Sequence, residues 1–252
     1  MSLTGDQELL LALAGLGAGL VNGAAGGGTL ISFPALLAAG YPALTANVTS
    51  TVGIWTGYLG GSAGFRQEVS NQAQRLRVLA PSVVAGAVVG GVLLLTTPTH
   101  DFREIAPYLL LVACGLFAVQ PLVAKWLRRH GEADRPHWAL LHGGSAVAAM
   151  YGAYFGAGLG VVLLAVLGSG LPEPLLRVNG LRSVLSLVIN TVAVAIFVAH
   201  AHVAWLAAGI MAGCALLGGY VGARVARLAP AALLRAIVIA IGLATAIDLL
   251  VS

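Results

Sequence analysis

The chain has 252 residues, 59% of them hydrophobic and 9% charged, with a net charge of +4. Soluble domains carry about 25% charged residues, so this chain cannot cover a water-facing surface, and lipid must be its solvent over most of its length. The positive balance then reads as the basic loops of a membrane protein rather than a nucleic-acid surface, and the expected fold class is an all-α, polytopic membrane protein.

The first residues, "MSLTGDQE", are acidic and lack a basic n-region, so no cleaved leader is expected. Residues 7–39 follow. They are apolar, too long for one span, and interrupted by "GLVNGAAGGGTLISFP", with five glycines between Gly19 and Gly28. Each interior glycine costs a helix about 1 kcal/mol against alanine, so the segment is expected to break into a helical hairpin of two short helices. Long spans are expected next at 45–65, 76–95 and 104–124, each near the roughly 20 residues that cross a bilayer. The hydrophilic stretch "KWLRRHGEADRPH" (125–137) reads as a linker. Residues 139–169 form a second glycine-broken apolar region around "MYGAYFGAGLG", and further spans are expected at 179–199, 203–223 and 231–251.

Two halves result, 1–124 and 138–252, each one broken hairpin plus three spans. "GYPALTANVTSTV" (40–52) parallels "GLPEPLLRVNGLRSV" (170–184), pairing Pro42 with Pro172 and Asn47 with Asn179, and "GAAGGG" (23–28) parallels "AYFGAG" (153–158). If both broken regions turn back on themselves, twelve of the thirteen Lys and Arg residues face one side, with Arg103 alone opposite. The positive-inside rule therefore favours hairpins, both termini extracytoplasmic, and two halves of inverted topology. Inverted repeats with broken helices are a transporter signature.

A helix broken inside the membrane leaves backbone groups that must be met by protein or water. Its second half presents a helix N-terminus, whose N–H groups and partial positive charge favour an anion. Gly26, Gly27 and Gly28, flanked by Asn22 and Thr29, are the candidate contacts at the first tip; Tyr154, with Tyr151, is the candidate at the second. The plain alternative is that such glycines only let helices pack closely, which is the expected role of Gly86, Gly90, Gly91, Gly218, Gly219 and Gly222. A polar stripe supplies the second set. Asn179, Ser183, Ser186 and Asn190 share one helix face, with Arg182 a turn from Asn179 and Ser186. The plain alternative for Arg182 is an inside-facing charge that snorkels. Asn47, Ser50 and Thr51 are the matching positions of the first half, where no arginine pairs with Arg182.

No Asp or Glu lies deep in a long span, and no P-loop lysine follows "GAAGGGTL". Cys114 and Cys214 sit in apolar runs and read as small core residues. An enzyme, a cofactor and a metal are not expected; a small anion and the bilayer are the expected partners, with no nucleic acid.

"GLVNGAAGGGTLISFPALLAAGYPALTANVTSTV", with "GAYFGAGLGVVLLAVLG" and "RVNGLRSVLSLVINTVAVAIF" in the second half, resembles the sulfite exporter TauE/SafE-like family of membrane permeases. The resemblance spans both halves. It implies export of small sulfur-containing anions such as sulfite, sulfoacetate or other organosulfonates from the bacterial cytoplasm, with Asn22–Thr29, Asn47–Thr51 and Asn179–Ser183 as functional segments. Membrane potential suffices as an energy source, because one negative charge moved outward gains about 2.3 kcal/mol per 100 mV. An anion channel and a proton-coupled carrier of other organic anions are the alternatives.

Overall fold

A computed structural model describes residues 3–24, 26–70, 72–130, 135–225 and 232–251, and these residues form helices and short connections without a strand. In chain order the helices are α1 (Gly5–Ala24), α2 (Thr29–Ala38), α3 (Ala43–Gly64), α4 (Arg66–Val69), α5 (Ala73–Thr96), α6 (Thr99–His130), α7 (Trp138–Tyr154), α8 (Leu159–Gly170), α9 (Leu175–His200), α10 (Trp205–Val225) and α11 (Ala232–Val251).

Among the described residues, α1, α5, α6, α9 and α10 are long and apolar enough to cross a membrane. The 22-residue α3 is of similar length, but buries Asn47, Thr49, Ser50 and Thr51, which lowers its hydropathy for a reason visible below. Both glycine-broken regions are helix–turn–helix units, α1–α2 and α7–α8. Only their return limbs are short: α2 has 10 residues and α8 has 12, about 15 and 18 Å at 1.5 Å per residue. The outgoing limbs differ from the expected half-length helices, since α1 has 20 residues and α7 has 17. The glycines of α1 do not break it because they lie on a packing face. A Cβ on Gly15 would come within 2.6 Å of the Met211 carbonyl, and one on Gly19 or Gly23 would overlap the backbone of Ala215 or Gly219. Backbone contact along a small-residue seam repays the poor helix propensity of glycine.

That seam also fixes directions. Gly15, Gly19 and Gly23 of α1 meet Met211, Ala215 and Gly219 of α10 in rising order, so the two helices are parallel. Gly53, Gly60 and Gly64 of α3 follow Ala208, Leu216 and Tyr220 of α10 in the same sense. Gly86 and Gly90 of α5 meet Ala146 and Met150 of α7, a second parallel pair. Gly218 and Gly222 lie on the Leu16 and Leu20 backbone, and Gly91 on the Ile196 side chain. By contrast α3 and α9 cross antiparallel: Trp55 Nε1 donates to Thr191 Oγ1 at 2.9 Å, and the Ser62 and Ser183 hydroxyls lie 3.4 Å apart.

Helix α6 continues to His130, six residues past the expected end of its span, so Lys125, Arg128 and Arg129 are helical rather than loop residues. Lys and Arg are good helix formers, and their charge suits a helix C-terminus. Arg227, counted with the basic loops, lies outside the described residues.

Candidate functional site

Each hairpin turns on glycine for a steric reason. Gly26 adopts φ +79° and its N–H donates to the Val21 carbonyl at 2.8 Å; Gly156 adopts φ +82° and its N–H reaches the Tyr151 carbonyl at 3.3 Å. Only glycine takes this left-handed conformation without strain. The two tips are docked to each other. The Gly160 N–H, in the first turn of α8, donates to the Gly26 carbonyl at 3.1 Å, and a Cβ on Gly26 would stand 2.6 Å from the Gly160 Cα and 3.2 Å from Arg182 Nη1. Thr29 Oγ1 lies at the Gly156 backbone, and Phe33 packs edge-on against Phe155 with ring centroids 5.6 Å apart.

This docking alters the expected role of the helix ends. The amides anticipated as free anion donors are partly occupied: Gly28 N–H donates to Asn22 Oδ1 at 2.7 Å, Leu159 N–H to the Gly156 carbonyl, and Gly160 N–H to Gly26. A buried N–H left unpaired costs about 1–3 kcal/mol, and the closed arrangement avoids that.

Side chains supply what the backbone does not. Asn22, Thr29, Tyr58, Arg182, Ser183, Ser186 and Asn190 are all buried, Arg182 at 1% exposure being the largest fully buried side chain. The Tyr58 hydroxyl faces the Arg182 guanidinium and the amides of Asn190 and Asn22. Asn190 Nδ2 donates to the Ser186 carbonyl of its own helix at 2.9 Å. Asn22 Nδ2 completes no hydrogen bond of full geometry among the described residues, although the Tyr58 hydroxyl lies beside its amide. Buried polar groups are paired in nearly all native structures, so a buried Asn22 donor beside Tyr58, which also meets Asn190 and Arg182, marks a place prepared for an acceptor.

Other candidates are placed differently. Asn47 Nδ2 donates to the Tyr154 carbonyl at 3.0 Å, tying α3 to the second tip, while Asn47 Oδ1 is unpartnered. The Ser50 hydroxyl is 2.6 Å from that of Ser32, so it fastens α3 to α2; Thr51 Oγ1 donates to the Asn47 carbonyl. The Tyr154 side chain turns away from the buried set, its hydroxyl 3.3 Å from Thr97 Oγ1 and its ring tilted on Phe102. Asn179 is half-buried, and its Nδ2 donates to the Leu175 carbonyl a turn before it. Gly27 packs beneath Phe117. Tyr58 and Ser32 were not anticipated. Tyr58 stands 11 residues after Asn47, as Asn190 stands 11 after Asn179, and that shared interval was the available signal.

A charged, hydrogen-bonding set enclosed where two helical hairpins meet, inside a bundle of membrane-length helices, defines a multi-pass membrane transport protein rather than an enzyme. The family model described as "Sulfite exporter TauE/SafE" matches residues 11–249, and the chain belongs to that family. Among its relatives is a "Probable membrane transporter protein" of Haemophilus influenzae, 26% identical over 242 residues that cover 93% of this chain and 91% of the relative. Another is "Probable membrane transporter protein ORF9" of Sinorhizobium sp, 28% identical and covering 92% and 88%. A third is "Probable membrane transporter protein YfcA" of Escherichia coli K12, 26% identical and covering 82% and 74%. No solved structure matches the chain.

Proposed function

We propose that this transporter exports small sulfur-containing anions, such as sulfite, sulfoacetate or related organosulfonates, across the bacterial inner membrane, driven by the membrane potential. The observation that carries the reading is Arg182, sealed between the hairpin tips beside Tyr58, Asn190 and the Asn22 amide. A guanidinium grouped with amide and hydroxyl donors in a buried place suits an oxyanion or sulfonate, whose oxygens accept charge-assisted hydrogen bonds from such a set. Family membership supports the sulfur-anion class.

Inverted repeats account for the symmetry of the contacts. Residues preceding α3 and α9 are Pro42 and Pro174, so the long helices match at an interval of 132, with Asn47 on Asn179, Ser50 on Arg182 and Tyr58 on Asn190. The tips match at 130, Gly26 on Gly156 by their positive φ and Gly28 on Gly158 as the residues preceding α2 and α8. The second half inserts two residues between hairpin and long helix, so Pro174, not Pro172, is the counterpart of Pro42. Antiparallel crossing of α3 and α9, and the parallel pairs α1 with α10 and α5 with α7, are the relations such a repeat requires. In this topology Arg66, Arg75, Arg77, Arg128, Arg129, Arg135, Arg177, Arg224 and Arg235 face the cytoplasm, whereas Arg182, which sequence alone groups with them, is drawn into the core; both termini are extracytoplasmic.

Moving one negative charge outward gains about 2.3 kcal/mol per 100 mV, roughly a fifty-fold gradient, so export needs no buried carboxylate. Proteoliposomes loaded with labelled sulfite test this. Efflux should follow a potassium-diffusion potential, interior negative, and Arg182→Gln should abolish it. Efflux that tracks an imposed proton gradient and ignores the potential would reject the mechanism.

A further inference from the structure

At the end of the bundle that carries the basic loops, a carboxylate occupies a place built for an anion. Arg75 Nη1 donates to Glu173 Oε1 at 2.6 Å, and Arg177 Nη1 to Glu173 Oε2 at 3.3 Å, so each carboxylate oxygen is held by a different guanidinium. The carboxylate is 11% exposed. Its two holders come from distant parts of the chain, Arg75 from the first turns of α5 and Arg177 from the start of α9. Gln72 reinforces the junction, its Nε2 donating to the carbonyls of Glu68 at 2.8 Å and Arg177 at 3.0 Å.

Glu173 also lines two cavities. One, of about 200 Å³, is lined by Gln72, Arg75, Arg177 and Glu68 besides; the other, of about 160 Å³, is lined by Arg128, Gly168 and Leu175 besides. Each has room for a small tetrahedral anion. With Glu173 ionised, Arg75 and Arg177 face two carboxylates across the first cavity, Glu173 and Glu68. Neutralising Glu173 leaves that cavity with a net positive charge. Geometry adds to charge: two guanidiniums already fixed about one pair of oxygens present a preorganised fork for an oxyanion.

We infer that Arg75 and Arg177 form a second anion site, distinct from the one around Arg182, which takes small oxyanions and sulfonates and which the Glu173 carboxylate fills in this conformation. The ligand class rests on the proposed function, but the site does not share residues with the central one. An anion arriving at this end competes with Glu173 for the two guanidiniums. Its capture releases the contact between the start of α5 and the α8–α9 connection.

Equilibrium binding of labelled sulfite to the purified full-length protein tests the inference. Glu173→Gln should bind a second equivalent of sulfite, about three- to five-fold tighter than any second site of the wild type, matching the release of a partly exposed ion pair. Adding Arg75→Gln and Arg177→Gln to Glu173→Gln should remove that equivalent. In the Glu173→Gln chain, Arg182→Gln should abolish central binding and spare the new equivalent, which separates failure of this site from failure of the central one. Unchanged binding in Glu173→Gln would overturn the inference. So would a gain that persists after both arginines are replaced. Glu173→Ala frees the same guanidiniums and provides the same comparison should the glutamine variant not fold.

Discussion

Asn22 Oδ1 accepts the Gly28 N–H at 2.7 Å, closing the first hairpin turn from the end of α1 onto the start of α2. The bond does the work of an N-cap for a helix that has no side-chain cap at Gly28 itself. Asn22→Ala removes the acceptor and leaves a buried N–H. The expected loss is about 1–2 kcal/mol, read as a lower melting temperature in detergent. Asn22→Asp keeps an acceptor but sets a carboxylate beside Arg182 and Tyr58. It should melt closer to the wild type while failing to transport, because its charge competes with the anion. An Asp variant that transports normally would remove position 22 from the site.

Gly26 gives a steric prediction of a different kind. At φ +79°, with a Cβ placed 2.6 Å from the Gly160 Cα, Gly26→Ala is opposed by both backbone strain of about 1–2 kcal/mol and direct overlap between the tips. The Gly160 N–H to Gly26 carbonyl bond cannot survive that separation. Expression of folded protein, followed by size-exclusion chromatography, should fall sharply for Gly26→Ala and stay normal for Gly115→Ala, whose Cβ would meet nothing within 4 Å. Equal yields would show that the tips are not docked as described.

Tyr58→Phe isolates the hydroxyl that faces Arg182, Asn22 and Asn190. The ring remains to fill its buried place, so the melting temperature should change little. If the hydroxyl helps hold the anion, substrate affinity should drop about ten-fold, the order expected for one hydrogen bond to a charged group. Titration by thermal shift with sulfite measures it. Equal affinities for the two chains would confine Tyr58 to packing.

Tyr58 marks the limit of what local sequence patterns encode. The glycine runs, the span lengths and the polar face of α9 are local patterns, and they located both hairpins and the buried set of Arg182, Ser183, Ser186 and Asn190. Tyr58 sits in "GIWTGYLGG", where an aromatic reads as membrane packing until its hydroxyl is found facing the arginine. Asn179 lies on the same stripe as Asn190, but its depth depends on where α9 emerges from its neighbours, which spacing alone does not encode. The occupied helix ends were hidden for a similar reason. Gly160 finds its acceptor 134 residues earlier in the chain, in a contact that exists only once the tips have docked.

The Arg75–Glu173–Arg177 cluster predicts a pH dependence of stability. Burial alone would raise the Glu173 pKa, but the hydrogen bonds and charges of Arg75 and Arg177 outweigh it and hold the carboxyl below its ordinary value. A carboxyl whose folded pKa is lowered stabilises the protein above its unfolded pKa, about 4.3, and loses that contribution as pH falls through the folded value. The melting temperature should therefore carry no contribution from Glu173 titration between pH 8 and 5.5, and should decline as pH drops below about 4.3. Glu173→Gln lacks the titrating group, so its melting profile should start lower and fall less over the acid range. Parallel profiles for the two chains below pH 4.3 would show that the ion pairs add nothing to stability, whereas convergence at low pH would assign the difference to this one carboxylate.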